Sequence, residues 1–177
     1  TFDGLYAFYR DHPSLGFSDL MAWSQGHGCE SNQGQQSATD GDLDIGYALL
    51  LADKQWGSDG AIDYKQAAAR IIGAIKLAEI DETGSYVLLG DWTDPAARYY
   101  YDSTRSSDFM PGHFESFAAA MGDDSWKQVA QRSYNIFQSI QSEYASSTGL
   151  FPDFILSPLD HPSPAGANFL ERSVDGE

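Results

Sequence analysis

Helix-type apolar periodicity governs most of this chain, and the helical segments are separated by loops of very unequal length. Apolar side chains recur at helical spacing in five segments, which cover residues 2–12, 39–57, 64–80, 111–121 and 125–144. The other long stretches are rich in loop-forming residues, with strand-like pieces only at 20–23 and 151–156. The pattern predicts an all-α fold. Because some connections are very long, the pattern does not match a four-helix bundle with uniformly short loops.

Two parts of the chain resemble each other weakly. The segment ALLLADKQWG around Trp56 and the segment FAAAMGDDSWKQVA around Trp126 both run from a helix through an acidic turn to a tryptophan. Such an internal similarity is typical of repeated helical hairpins, because a single hairpin cannot bury its apolar face alone.

The charge of the chain limits its partners. It carries 26 acidic and 10 basic residues, so its formal charge is −16. Binding to nucleic acid or to anionic membrane uses Lys and Arg, and we therefore expect neither. No apolar run is long enough to span a bilayer. The single cysteine, Cys29, excludes an internal disulfide and a cysteine-based zinc site, and no histidine motif predicts a metal or another cofactor.

The densest polar cluster is the segment 37–45, in which Asp40, Asp42 and Asp44 alternate at the start of a predicted helix. Carboxylates in this position suit cation binding or hydrogen bonds to sugar hydroxyls. An EF-hand is disfavoured because its twelfth position, counted from Asp40, is Leu51 instead of Glu. A simpler interpretation is that Asp40 caps the helix while the other two favour its dipole.

Large aromatic residues occupy the loops, namely Trp23, Trp92 and the run from Tyr99 to Tyr101. Flat rings can stack on the apolar faces of sugars, so the cluster indicates a carbohydrate-binding groove. The alternative is that these rings only close the loops onto the helical core. Glycoside hydrolysis also needs two carboxyl groups, and composition alone cannot choose them among 26 acids.

The segment SATDGDLDIGYALLLADKQWG, at residues 37–57, resembles the signature of glycoside hydrolase family 8. The resemblance extends in order over most of the chain. It includes LMAWSQ at 20–25, GDW at 90–92, SSDFMPGHF at 106–114, GDDSW at 122–126 and TGLFPDF at 148–154. It implies an inverting, endo-acting, secreted bacterial glycanase whose fold is an (α/α)6 barrel of six helical hairpins.

The resemblance also assigns roles to individual residues. Asp40 matches the aspartate that holds the distorted sugar and the catalytic water. Trp23 and Trp92 match sugar-stacking positions, and we add Tyr99 and Asp42 as candidate substrate contacts. Glu171 is the predicted general base and Glu177 the alternative to it; either could also be an ordinary exposed loop glutamate.

The general acid of the family lies in an S-E-G-x-x-Y motif, which these residues lack. Since only five helices are predicted where the barrel has twelve, we expect residues 1–177 to be part of one catalytic domain, without its N-terminal and C-terminal helices. The segment alone is then expected to be inactive, and its partners are a polysaccharide and the remaining segments of the same enzyme.

Three functions remain open at this point. The first is hydrolysis of a β-1,4-linked polysaccharide, with chitosan favoured because an acidic cleft would concentrate its protonated amines; a β-1,4-glucanase acting on cellulose or lichenan is the alternative. The second is a non-catalytic carbohydrate-binding fragment. The third, an acidic helical interaction domain, does not explain the loop aromatics beside Asp40.

Overall fold

The computed structural model describes residues 1–30 and 34–170. Within them the chain is mainly helical, as predicted, and each of the five predicted segments forms a helix. The helices are α1 (Phe2–Asp11), α2 (Thr39–Trp56), α3 (Tyr64–Ala78), α4 (Arg98–Tyr101), α5 (Pro111–Met121) and α6 (Ser125–Tyr144), and short 3-10 turns cover His27–Cys29 and Ser106–Asp108. No helix among the described residues is long and apolar enough to cross a membrane.

The helix ends follow local chemistry. Asp63 caps α3 by accepting a hydrogen bond from the Gln66 backbone N–H at 2.8 Å. Pro111 occupies the first turn of α5, and Gly122 ends that helix in the left-handed conformation, with φ at 64°. At the start of α2, however, the cap position is Ala38, which has no side chain that could cap. The interpretation of Asp40 as the helix cap is therefore wrong.

Two helical hairpins form the main core. Helix α2 packs against α3, and α5 packs against α6. Consecutive helices are therefore neighbours, as the weak internal similarity around Trp56 and Trp126 predicts. The hairpins meet through aromatic rings of α5 and α6, of which Phe117 approaches α2 where Gly46 leaves room for it. The largest fully buried side chains are Trp126, Tyr86, Phe114, Phe117, Leu20, Leu43, Leu49, Ile71, Ile72, Ile75, Ile136 and Ile140.

A small antiparallel sheet accompanies the helices. It contains β1 (Ser103–Arg105), β2 (Phe154–Leu156) and β3 (Ser163–Pro164) in that order, with Thr104 opposite Ile155 and Ile155 opposite Pro164. Only β2 lies in a segment for which the sequence predicts extended structure. Strands of two or three residues leave no periodic signal, and β1 is defined by pairing across about fifty residues. The sheet brings the loop that follows α4 next to the proline-rich end of the described chain.

Candidate active site

A cavity of about 430 Å³ opens beside the N-terminal end of α2. Loops from distant parts of the sequence converge on it, and it contains both tryptophans that the sequence assigns to sugar stacking. We call it the aromatic cavity. Its described lining residues are Trp23, Gln36, Ser37, Ala38, Leu89, Trp92, Arg105 and Leu170.

The loop that carries Trp23 is held by backbone pairing. The Trp23 backbone N–H donates to the Gln36 carbonyl at 3.0 Å, and the Ala22 N–H donates to the His12 carbonyl at 3.0 Å. These bonds place the segment between the end of α1 and the start of α2. The Trp23 ring remains 65% exposed and stands at the rim of the aromatic cavity.

The loop that carries Trp92 is held by Gly90 and Asp91. A Cβ atom at Gly90 would collide with the Ser37 carbonyl, so only glycine allows this close approach. The Asp91 carboxylate accepts hydrogen bonds from the Ser14 hydroxyl at 2.5 Å and from the Ser37 backbone N–H at 2.9 Å. Asp91 therefore fixes the two loops that lead to Trp92 and Trp23 relative to each other.

The three alternating aspartates of the segment 37–45 do not converge. Asp40 is half-buried in the first turn of α2, where its carboxylate accepts a hydrogen bond from the Gly41 N–H at 2.8 Å. Asp42 is buried, whereas the Asp44 carboxylate is 70% exposed and lies 3.0 Å from Nε2 of His113. Among the described residues no group of three His, Cys, Asp or Glu side chains is arranged to hold a metal ion.

A further carboxyl group lies close to Asp40. Asp108, in the 3-10 turn after β1, is 2% exposed and accepts a hydrogen bond from the Ser107 hydroxyl at 2.9 Å. Burial raises the pKa of Asp108 well above its ordinary value, and the negative charge of Asp40 raises it further. Asp108 stands in the SSDFMPGHF segment that carries the family resemblance, but no local signal in the sequence marks it as a site residue.

Beneath the aromatic cavity lies a buried carboxyl pair formed by Asp42 and Glu79, which are 1% and 0% exposed. Asp42 Oδ1 accepts a hydrogen bond from the Met21 backbone N–H at 2.9 Å, and Glu79 Oε1 accepts one from the Ser37 hydroxyl at 2.5 Å. The sequence assigns Asp42 to substrate binding. Because its carboxyl is covered by the Met21 backbone, we interpret it instead as a support beneath the cavity.

Arg105 is the one basic residue among the described residues that line the cavity. Its guanidinium donates to both carboxylate oxygens of Asp153, with an Nε–Oδ1 distance of 2.9 Å and a second N–O distance of 2.8 Å. It also lies over the Phe154 ring. This paired geometry fixes the guanidinium at the wall of the cavity.

Tyr99 lies next to the aromatic cavity and does not line it. Its exposed ring contacts Tyr100 and Phe169, with centroids 4.9 and 5.2 Å away, and Tyr100 in turn contacts Trp92 at 5.4 Å. The ring thus extends the aromatic surface outward from Trp92. Glu171 and Glu177, the two candidates for the general base, lie outside the described residues.

Comparison with known proteins gives consistent matches over nearly the whole chain. A family profile described as "Glycosyl hydrolases family 8" matches residues 1–175. A β-glucanase of Niallia circulans is 47% identical over 99% of this chain, and an endoglucanase of Bacillus sp. (strain KSM-330) is 38% identical over 97% of it. The chain spans only 42% and 36% of the lengths of these two relatives.

Solved structures agree. The apo structure of a β-1,3-1,4-glucanase from Paenibacillus sp. X4 superposes with a TM-score of 0.92 and 48% sequence identity, over 99% of this chain and 46% of that one. A cold-adapted family 8 xylanase superposes with a TM-score of 0.71 at 19% identity, over 89% of this chain and 41% of that one, which shows a shared fold.

Proposed function

The chain belongs to glycosyl hydrolases family 8, and on that basis we propose that its protein is an inverting, endo-acting hydrolase of β-glucan. The observation that carries this proposal is the aromatic cavity, in which Trp23 and Trp92 meet beside the N-terminal turn of α2 that holds Asp40. Aromatic walls suit the apolar faces of glucose units, and a carboxylate nearby can bind their hydroxyls.

The proposed mechanism is a single displacement. A carboxylic acid, which we do not assign to any residue of this chain, protonates the glycosidic oxygen while Glu171 activates a water on the opposite face of the sugar. The two carboxyl groups of inverting enzymes stand roughly 6.5–9.5 Å apart to accommodate that water. Asp40 orients the water and binds the sugar more strongly in the transition state. The choice of Glu171 rests on the family resemblance and on Leu170, its neighbour in the chain, which lines the cavity.

The comparisons do not support the expectation that chitosan is the preferred substrate. The relatives are described as β-glucanase, endoglucanase and β-1,3-1,4-glucanase, which favours the glucanase alternative. The charge of −16 is a property of the whole chain, whereas the described residues lining the aromatic cavity include Arg105 and no carboxylate. Net charge is therefore a poor guide to what this cavity binds, and the names of the relatives make neutral glucose units the proposed substrate. Secretion is part of the same proposal, since a polymer must be cleaved where the enzyme can reach it.

The experiment that tests this function measures new reducing ends released by the full-length protein from mixed-linkage β-1,3-1,4-glucan, carboxymethyl cellulose and chitosan. We expect the fastest hydrolysis on mixed-linkage glucan, and the first product observed by NMR should be the α-anomer because the mechanism inverts configuration. A faster reaction on chitosan would overturn the substrate assignment. Binding of glucan without any new reducing ends would instead indicate a carbohydrate-binding protein.

The same assay tests the base. Glu171→Gln should abolish hydrolysis while glucan binding persists, because the amide cannot accept a proton from water. Glu177→Gln serves as the matched variant and should retain activity. The reverse result would transfer the role of base to Glu177.

A further inference from the structure

We propose that Asp42 and Glu79 share one proton between Asp42 Oδ2 and Glu79 Oε2, and that this hydrogen bond positions the first turn of α2, and with it Asp40, against the aromatic cavity. Asp42 and Glu79 are then positioning residues that do not touch the substrate. The proposal concerns how the site is held and does not require that the substrate be a glucan.

The oxygen atoms of the two carboxyls are unequally bonded. Each of the two carboxyls has one oxygen that accepts a hydrogen bond from a neutral donor, Met21 N–H for Asp42 and the hydroxyl of Ser37 for Glu79. The other two oxygens, Asp42 Oδ2 and Glu79 Oε2, are buried and have no donor among the described residues, although the two carboxyls lie within hydrogen-bonding reach of each other. Buried acceptors are rarely left without a donor, and a proton held between them satisfies both.

The charged groups around the pair also favour a shared proton. The strongest charged neighbours are Asp91, in the loop beside Trp92, and Asp40, on the same helix as Asp42; both are acidic. From α1, the phenol of Tyr9 also faces Asp42. Two negative charges would be costly in this buried site without a cation to offset them.

The direction of the titration agrees with this arrangement. Burial raises the pKa of Asp42 to about 7, and it raises the pKa of Glu79 well above the ordinary value, with the charge of Asp42 adding to the effect. For two coupled carboxyls these shifts belong to the pair. At neutral pH the pair therefore keeps one proton that the unfolded chain has released.

The pair connects several segments that surround the aromatic cavity. Through Met21 the pair contacts the loop that carries Trp23, and through the Ser37 hydroxyl it reaches the loop that carries Trp92, because that hydroxyl also accepts a hydrogen bond from the Asp91 N–H at 2.9 Å. Asp42 itself lies in the first turn of α2, and Glu79 caps the C-terminal end of α3. The shared proton thus links the loop that carries Trp23, the loop that carries Trp92 and the helical turn that carries Asp40.

The test is a double-mutant cycle on the full-length protein. In Asp42→Asn the amide oxygen keeps the bond from Met21 and the new NH2 group donates to Glu79 Oε2. In Glu79→Gln the NH2 group donates to Asp42 Oδ2 in the same way. Each single variant therefore supplies the hydrogen that the shared proton supplies in the wild type. The double variant brings two NH2 groups together with no acceptor between them. Turning over the amide at position 42 points its NH2 group at the Met21 N–H, and turning over the amide at position 79 takes away the acceptor of the Ser37 hydroxyl hydrogen.

We expect each single variant to keep its Tm at pH 7 within about 2 °C of the wild type, and the double variant to lose at least about 4 °C beyond the sum of the singles. If both single variants fold and the double variant does not, this outcome also supports the proposal. Additive losses, or single variants that are as damaged as the double, would overturn the proposal. Loss of buried volume alone cannot produce the expected pattern, because Asn and Gln match the shapes of Asp and Glu.

A pH series provides the readout that a merely structural contact would not change. The native state binds more protons than the unfolded state between the ordinary carboxyl pKa and the raised one, so wild-type Tm should fall as the pH rises from about 5 to about 8. Asp42→Asn should flatten this slope, and Glu115→Gln, which alters an exposed carboxylate on α5, should leave it unchanged. An identical slope in the wild type and Asp42→Asn would contradict a shared proton. Because Tm requires no substrate, this outcome is independent of whether the protein hydrolyses glucan.

Discussion

The wall of the aromatic cavity and the layer beneath it adjoin at the start of α2 and have opposite properties. The wall contains exposed or half-buried groups, including Trp23, Trp92 and Arg105. The layer beneath contains Ser37, Asp42 and Glu79, whose polar atoms are buried and bond to one another and to the backbone. The wall is suited to a ligand, and the lower layer is suited to holding the wall in place.

The difference can be traced to two acids on one helical turn. Asp40 and Asp42 are two residues apart, which corresponds to about 200° around an α-helix, so their side chains leave the helix on opposite sides. Asp40 remains half-buried beside the cavity, while Asp42 enters the lower layer. A signature rich in aspartate thus combines a chemical role and a supporting role, and the two can be separated by experiment.

The largest expected effect concerns Asp40, which we propose to act on the substrate. Asp40→Asn in the full-length protein should lower kcat on mixed-linkage glucan by about 100-fold or more, because the transition state loses a charged hydrogen bond. The Tm should change little, since within the described part of the chain the carboxylate accepts a hydrogen bond only from the adjacent Gly41 N–H.

The control for this prediction is Asp44→Asn, which alters an exposed carboxylate one turn along the same helix. Its kcat should stay close to that of the wild type. If Asp40→Asn retained near-normal turnover, Asp40 would not belong to the site. The proposed difference in role between Asp40 and Asp42 would then be wrong.

The sequence predicts those features of the fold and the site that depend on residues close together in the chain. The helices follow from apolar spacing, and Asp40, Trp23 and Trp92 follow from motifs that stand in one piece of chain. Glu79 leaves no such signal, because before the fold is known it reads as an ordinary polar residue at the end of a helix. Its partner Ser37 lies 42 residues away, and that pairing exists only in the tertiary structure.

The expectation that chitosan is the substrate rested on the net charge, and the comparisons do not support it. Net charge is summed over the whole chain, whereas recognition depends on the few groups that face the ligand. The described residues that line the aromatic cavity include no carboxylate, and the one basic residue among them, Arg105, is paired with Asp153, so the acidity of the whole chain is not found in this lining. Asp108 shows the same limit, since only the fold reveals that its carboxyl is buried close to Asp40.

The next largest effect concerns Ser37, which belongs to the buried layer beneath the cavity. Ser37→Ala removes the hydroxyl that donates to Glu79 Oε1 and accepts from the Asp91 N–H, so the buried Glu79 oxygen and the half-buried Asp91 N–H both lose this partner. We expect a loss of about 1–3 kcal/mol in the free energy of unfolding, measured by chemical denaturation of the full-length protein. Ser142→Ala, at an exposed position on α6, should change it by less than about 0.5 kcal/mol. Equal effects of the two variants would show that the lower layer does not support the wall.

The smallest effect tests the wall alone and uses two tryptophans of similar exposure. Trp23, at the rim of the cavity, and Trp56, at the far end of α2, are 65% and 61% exposed, so simple loss of surface area affects both alike. Trp23→Ala should raise the KM for glucan by about 3- to 10-fold, which corresponds to about 0.5–1.5 kcal/mol for an aromatic contact. Trp56→Ala should leave KM unchanged, because that ring packs against Phe2 and Tyr64 away from the cavity. A rise in KM for both variants would mean that the effect reflects general damage to the fold, and no rise for Trp23→Ala would place the sugar elsewhere.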